Sequence, residues 1–196
     1  TTVIKYPSFR PSVKEVVLPP TVTKIAQGAF EFCDYLTEIT MNEGLKEIES
    51  TAFYLCRSLK SIKIPASVEK IADGSVFCLL ESCEKFEVAA GNTTYEPLMN
   101  GRLLANKKTH TAVSLLYTDK KDPITIPEGI EHIGDKAMLV LYENSHMEED
   151  YRGKGPREVI LPTTLKTIGT YAFSGSNIHS IKVPDAVETI AAGAFQ

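Results

Sequence analysis

Apolar residues recur along the chain with a period of about 23 residues. A unit has two apolar residues two positions apart, as in Ile62 and Ile64, and in all but the unit at Val88 these are followed by Pro or Asn, a second apolar pair and Phe, or Met138 in one unit. The first pair ends, unit by unit, at Leu18, Met41, Ile64, Val88, Ile126, Leu161 and Val183. The steps between these residues are 23, 23, 24, 38, 35 and 22, so two steps carry an insertion.

This pattern predicts a solenoid of short parallel strands. Alternating inward and outward residues with β-branched Ile and Val favour a half-buried strand, and Pro ends it because Pro has no N–H to donate. A unit of about 23 residues cannot bury its apolar side alone, so neighbouring units must stack. We expect one domain over 1–196, with ladders of equivalent side chains inside it. The aromatic ladder would contain Phe30, Phe53, Phe77, Phe173 and Phe195, with Met138 in the same place.

The repeated string resembles a known family. The pattern IxIPxxVxxIxxxAFxxCxxLxxIxIP is nearly met over 39–65 and 62–88, and its first half recurs over 124–138, 159–173 and 181–195. This is similar to the BspA-like group of bacterial leucine-rich repeats. The resemblance implies an α/β-type leucine-rich repeat solenoid of mostly short parallel β-strands, with irregular or short helical turns.

Two segments depart from the compact unit. The stretch 88–134 resembles a longer unit of the same family, matched here at Asn92, Tyr95, Gly101, Leu103 and Tyr117. That resemblance implies a β-hairpin projecting from or widening one coil over 88–123, with a tight turn at Asn-Gly, residues 100–101. The charged segment 139–158 reads as a second insertion, a loop or short helix. The third unit also carries one extra residue in 72–77.

The bulk composition excludes several classes of protein. The chain is 43% hydrophobic and 23% charged with a net charge of −4, and its basic residues are scattered, which argues against nucleic acid binding. No apolar run approaches the roughly 20 residues that cross a bilayer, and the start lacks a signal-peptide layout. We therefore expect no direct membrane insertion. Neither end shows a polar cap, which suggests a fragment of a longer protein or another element covering those ends.

The cysteines predict core positions more than chemistry. Cys33 and Cys56 are 23 residues apart and so stack at equivalent positions, while Cys78 and Cys83 share one unit. A disulfide is possible in principle, because adjacent coils lie about 4.8 Å apart. Reduced thiols that behave as small buried hydrophobes are the favoured interpretation. No zinc-type spacing occurs, so no metal or cofactor is predicted.

No enzyme motif is present. The histidines lie in unrelated places of the repeat, and no nucleophile elbow, metalloprotease, P-loop or dinucleotide motif occurs. The best cation candidate is the stretch ENSHMEEDY, where His146 has Glu143, Glu148, Glu149 and Asp150 nearby. A polar loop is the favoured interpretation of it. The sequon Asn92-Thr93-Thr94 is interpreted as a turn rather than a glycosylation site.

Surface rows are the remaining candidate for function. Outward residues at one strand position should form straight rows along the sheet, the usual site at which repeat proteins meet a partner. The rows mix both charge signs and lack aromatic residues. We expect a protein partner at these rows, together with the segment 139–158. The residues selected as protein-binding are Glu15, Glu38, Thr40, Ser61, Lys63, Lys85, Glu87, Thr125, Glu158 and Lys182.

Two functions stay open at this point. The resemblance implies an adhesion module at the cell surface or outside the cell, since similar proteins are typically exported by host-associated bacteria and some bind extracellular matrix proteins. The alternative is a structural spacer between other domains. An accessory domain of an enzyme ranks third.

Overall fold

The structure is a computed structural model that describes residues 2–4 (main chain), 12–116, 123–139 and 156–196. The chain winds in coils, and each coil contributes short strands to two separate series. The first series follows the IxIP positions and consists of β2 (Glu15–Val17), β4 (Glu38–Thr40), β6 (Ser61–Ile64), β8 (Lys85–Val88), β12 (Ile124–Thr125), β14 (Glu158–Ile160) and β16 (Ser180–Lys182).

The second series follows the apolar pair after the turn. It consists of β1 (Thr2–Ile4), β3 (Val22–Ile25), β5 (Glu47–Ile48), β7 (Lys70–Ile71), β11 (Thr111–Leu115), β13 (His132–Ile133), β15 (Thr167–Ile168) and β17 (Thr189–Ile190). Within each sheet of the two series, neighbouring coils pair in parallel and equivalent residues face each other, as in Ile25 with Ile48 and Ile168 with Ile190. The register predicted from the period is therefore the register that the strands adopt.

The fold is a β-solenoid with almost no helix, so the α/β part of the expected class is wrong for the described residues. They contain two short 3-10 segments, Gly74–Phe77 and Met99–Gly101, and no α-helix. The first of these accommodates the extra residue of the third unit. Asp73 caps it by accepting a hydrogen bond from the main-chain N–H of Ser75 at 2.9 Å.

Besides the sides formed by the two strand series, the coils have a third side, where aromatic rings stack along the interior. The rings of Phe30 and Phe53 are 5.3 Å apart and 4° from parallel, and those of Phe53 and Phe77 are 5.9 Å and 8°. The main chain bonds across coils here too, since the N–H of Phe30 donates to the carbonyl of Ala52 at 2.9 Å. Hydrogen bonds between coils therefore occur on this third side as well as in the two strand series, and Phe30, Phe53 and Phe77 belong to one core.

The long unit lies inside the solenoid. Strands β9 (Tyr95–Leu98) and β10 (Leu103–Asn106) pair antiparallel, β10 pairs antiparallel with β11, and β11 then pairs in parallel with β13. Side chains alternate between two cores: Leu104 and Val113 pack into the N-terminal core, while Leu103 and Ala112 pack into the C-terminal core. The expected projecting or widening hairpin is therefore observed as a partition with both faces buried.

Tyr95 and Asn92 join this partition to the coil before it. The Tyr95 hydroxyl accepts a hydrogen bond from the N–H of Ile71 at 2.7 Å, in the place where the next coil would supply a carbonyl. Asn92 is 2% exposed and donates to the carbonyls of Pro65 and Val68 at 2.8 and 3.0 Å. Because the Asn92 amide is buried and fully bonded, it serves as a structural turn residue, as the sequence suggested.

A glycine allows the coils on either side of the partition to touch. The N–H of Gly74 donates to the carbonyl of Asp135 at 2.9 Å. A Cβ on Gly74 would lie 2.1 Å from the carbonyl oxygen of Lys136, which no side chain could tolerate. Residue 74 therefore has to be glycine for the third-side stack to continue past the partition.

The last coil is packed differently from the interior coils. Its apolar ladder residues are not buried as the repeat predicts: Ile190 is 49% exposed and Phe195 is 44% exposed. The reason is physical, since within the described residues no further coil packs on them. Phe195 still stacks on Phe173 at 5.3 Å.

Replacing Phe53 by Ala should lower the free energy of unfolding by about 3–5 kcal/mol, because the ring is fully buried between Phe30 and Phe77. The measurement is chemical denaturation followed by circular dichroism. The matched control is Phe195→Ala, at the same repeat position but partly exposed, which should cost clearly less. Equal losses for the two variants would contradict the ladder.

Candidate protein-binding face

The outer face of the first strand series is formed by two rows of outward residues. Row 1 contains Glu15, Glu38, Ser61, Lys85, Pro123, Glu158 and Ser180. Row 2 contains Val17, Thr40, Lys63, Glu87, Thr125, Ile160 and Lys182. All are exposed except Ser61 and Glu87, which are half-buried, and every residue selected from the sequence is among them.

Strand pairing brings the row residues next to each other. Glu15 pairs with Glu38, Lys63 with Glu87, and Ile160 with Lys182. The inward neighbours Val16, Ile39, Ile62 and Val159 are buried, so the rows are fixed in place by the core beneath them. Successive side chains of a strand point to opposite faces, so the row residues face outward and their neighbours face the core.

The rows are not continuous, which corrects the straight face expected from the sequence. The first series is divided into three hydrogen-bonded sheets, β2-β4, β6-β8 and β12-β14-β16. The turn Met99–Gly101, not β12, lies against β8. Gly101 has a φ of +88°, and a Cβ there would be 2.9 Å from the carbonyl oxygen of Phe86. The partition thus interrupts the rows between Glu87 and Thr125.

The outward side of the second series is linked by ion pairs between coils. Glu47 lies between Lys24 and Lys70, at 3.3 and 2.6 Å, and Lys46 pairs with Glu69 at 2.6 Å. The hydrogen bond from Lys70 is the largest cause that holds the pKa of Glu47 below its ordinary value. Most charges of this side therefore have a partner within the solenoid.

Further along the second series the same arrangement continues. Lys166 and His110 both approach Glu131, at 2.5 and 3.6 Å, and His132 shares a hydrogen bond with Thr167. The hydrogen bond from Lys166 is the main cause that lowers the pKa of Glu131. His110 and His132 thus form polar contacts between neighbouring coils at the surface.

The outer face differs in this respect. Among the described residues it contains one ion pair, Lys85 with Glu87 at 3.1 Å within one strand. Over the same part of the chain, Glu15, Glu38 and Lys63 form none. The Glu15 and Glu38 pair also places like charges directly opposite each other, which opposes folding slightly.

Among the described residues of the face, two large aliphatic side chains are exposed. Val17 is 74% exposed and Ile160 is 47% exposed, both in row 2. Sequence reasoning included neither in the protein-binding set, because the strand pattern alone gives no measure of how far an outward aliphatic side chain is covered by its neighbours.

The four cysteines are buried free thiols, as the favoured interpretation predicted. Burial raises the pKa of the Cys83 thiol to about 12 and raises the pKa of Cys56 as well. The Cys56 thiol donates to the carbonyl of Phe30 at 3.0 Å. A thiol with a raised pKa is a poor nucleophile, so these residues act as core side chains.

The described part of the chain offers no other chemical centre. Within it, no three or more His, Cys, Asp or Glu side chains come close enough to hold a metal ion, and no helix has the length and hydropathy to cross a membrane. The stretch around His146 and residues 140–155 of the 139–158 insertion lie outside the described residues.

Comparison with known proteins gives one family. The BspA type leucine rich repeat region matches in six copies, over residues 3–99 and 151–196. The longer unit from residue 100 onward and most of the insertion fall between these ranges. No curated protein sequence matches the chain.

Three solved structures resemble the fold. The pneumococcal vaccine antigen PcpA has a TM-score of 0.70 and 22% identity, over 90% of this chain and 41% of that protein. A leucine-rich repeat protein from Eubacterium ventriosum ATCC 27560 has a TM-score of 0.67 and 23% identity, over 96% of this chain and 53% of that protein. A leucine rich cell surface protein from Faecalibacterium prausnitzii A2-165 has a TM-score of 0.65 and 20% identity, over 93% of this chain and 51% of that protein. The chain thus spans about half or less of each, and the similarity shows the fold alone.

Glu38→Gln should raise the free energy of unfolding by about 0.2–1 kcal/mol at low salt, because it removes the repulsion with Glu15. The gain should shrink in concentrated salt, which screens exposed charges. Urea denaturation at two salt concentrations measures both. Lys63→Gln is the control and should bring no gain, since Lys63 faces Glu87. A loss of stability in Glu38→Gln at low salt would contradict the repulsion.

Proposed function

Because the chain belongs to the BspA-type leucine-rich repeat family, we propose that it is a non-catalytic protein-binding module of a bacterial surface or secreted protein, with adhesion to host extracellular proteins as its task. The outer face is where the partner binds. Its selected residues contribute charge and hydrogen bonding on either side of the interruption at the partition.

The contrast between the two strand series carries this proposal. On the second series, side chains such as Lys24, Glu47 and Lys70 satisfy one another from coil to coil. On the outer face, the charges of Glu15, Glu38 and Lys63 form no ion pair with any residue that the structure describes. A surface that keeps opposing carboxylates, at a cost in stability, is suited to electrostatic recognition of another protein.

The relatives support the location. One structural neighbour is named as a cell surface protein and another as a vaccine antigen, and both are bacterial. The proposal for this chain is the same setting, at the cell surface or outside the cell. The partner surface also includes the charged insertion 139–158 in this proposal.

A structural spacer is the second candidate. The observation that favours it is the bonding between coils, with strand pairing within the sheets of two sides and stacked rings on the third. Such a rod holds its shape without a ligand. In that case the outer face would be a solvated surface, and changes to its charge would affect no interaction.

The test is binding of the purified chain to a panel of immobilised extracellular-matrix proteins, measured by surface plasmon resonance. The charge-reversed variant Glu38→Lys, Lys63→Glu and Lys85→Glu should lose at least about 90% of the binding of the unmodified chain, since like charges across an interface repel. Circular dichroism checks that the variant folds.

The matched control reverses charges on the second series and keeps their pairing, by exchanging Glu131→Lys with Lys166→Glu. This variant should bind as the unmodified chain does. Unchanged binding by the charge-reversed face would contradict its role. No binding to any panel member would favour the spacer over adhesion.

A further inference from the structure

The outer face is hollowed between β14 and β16. A groove of about 610 Å³ lies there, open to solvent. This volume falls within the roughly 300–1,000 Å³ that is usual for ligand sites. The groove is formed by the row residues of the two strands and by the turns that follow them. The side chains that define its chemistry are Glu158, Ile160, Ser180, Lys182, Asp185 and Ala186.

Ile160 is the apolar centre of the groove. It is 47% exposed although its strand, β14, pairs on both sides, with Thr125 of β12 opposite Ile160 on one side and Lys182 of β16 on the other. Leu161, Pro184 and Ala186 extend the apolar lining around it. A partner side chain that covers Ile160 would remove apolar surface from water on both molecules, which is favourable.

Three charged side chains surround this centre. Glu158, Lys182 and Asp185 line the groove, and among the described residues none of them forms an ion pair. Two carboxylates against one ammonium group leave the groove with an excess negative charge. A molecule that complements this groove carries an apolar side chain that packs on Ile160 and a cationic side chain that pairs with Glu158 and Asp185.

The repeat contains a natural comparison for this site. In the second and third coils the equivalent residues are Glu38, Thr40, Ser61 and Lys63, so the two quartets share Glu, Ser and Lys and differ at one position. Thr40 stands where Ile160 stands. The strands also differ, because β14 and β16 pair in one sheet, whereas β4 and β6 belong to separate sheets.

We propose that the groove between β14 and β16 is a specific docking site for an extended polypeptide segment that presents an aliphatic or aromatic side chain next to Lys or Arg. This rests on the proposed function, since it names the segment of the protein partner that the outer face would hold. The apolar side chain packs on Ile160, and the adjacent cation lies between Glu158 and Asp185.

The test uses isotope-labelled protein and peptide probes in nuclear magnetic resonance titrations. The first probe is an eight-residue Gly/Ser peptide with a central Lys-Leu pair. Two matched peptides carry Lys-Ser and Glu-Leu instead. The Lys-Leu peptide should shift the amide signals of 158–163 and 180–186 in a saturable way. The other two should bind at least about tenfold more weakly, because each lacks one of the two interactions.

Two variants separate the contributions. Ile160→Thr should weaken Lys-Leu binding about three- to tenfold, and so should Glu158→Lys. Both sites are exposed, and the same spectra report whether each variant is folded. Thr40→Ile, at the equivalent position of β4, tests whether the side chain alone suffices, and we expect no new binding there because β4 and β6 are not joined in one sheet.

The outcomes distinguish this site from the function of the whole face. Shifts confined to the groove and reduced by both variants support the proposal, even if no matrix protein binds. Equal binding of all three peptides, shifts elsewhere on the molecule, or no saturable shift would overturn it. In those cases loss of matrix-protein binding in the charge-reversed face would still support the proposed function.

Discussion

Contact between equivalent side chains of successive coils is the interaction on which the structure depends. No single coil has a core of its own, so Phe53 is buried only because Phe30 and Phe77 lie on either side of it. The strand pairing on the other two sides follows from the same stacking. Where the stack is interrupted, the chain supplies substitutes: the Tyr95 hydroxyl bonds Ile71, and Gly74 lets the third side continue.

Stacking also decides which surface is free for a partner. Because equivalent residues stand beside each other, a row of alternating charges such as Lys24, Glu47 and Lys70 neutralises itself. A row with repeated charges, such as Glu15 and Glu38, cannot do so. Over the described residues, the same geometry therefore gives one side that stabilises the coils by ion pairs and another whose carboxylates Glu15 and Glu38 face each other, with the groove at β14 and β16 adding an exposed apolar centre.

The period was enough to predict the solenoid and the register, because a 23-residue repeat has few ways to bury its apolar positions, while the family followed from the repeated string. The partition was not predictable. A strand buried on both faces, such as Leu103–Asn106, has apolar residues in succession, so its sequence does not show which side chains face which core. The α/β class followed the family rather than the residues. The interruption at Gly101, the ion pairs and the exposure of Ile160 depend on three-dimensional neighbours that spacing does not encode.

A double-mutant cycle on Phe30→Leu and Phe53→Leu tests the stacking most directly. The rings are 5.3 Å apart, so the account predicts a coupling energy of about 0.5–1.5 kcal/mol in denaturant unfolding. A reference cycle pairs Phe30→Leu with Phe173→Leu, whose rings belong to different cores, and should be additive within about 0.5 kcal/mol. Additive behaviour of Phe30 and Phe53 would contradict the account.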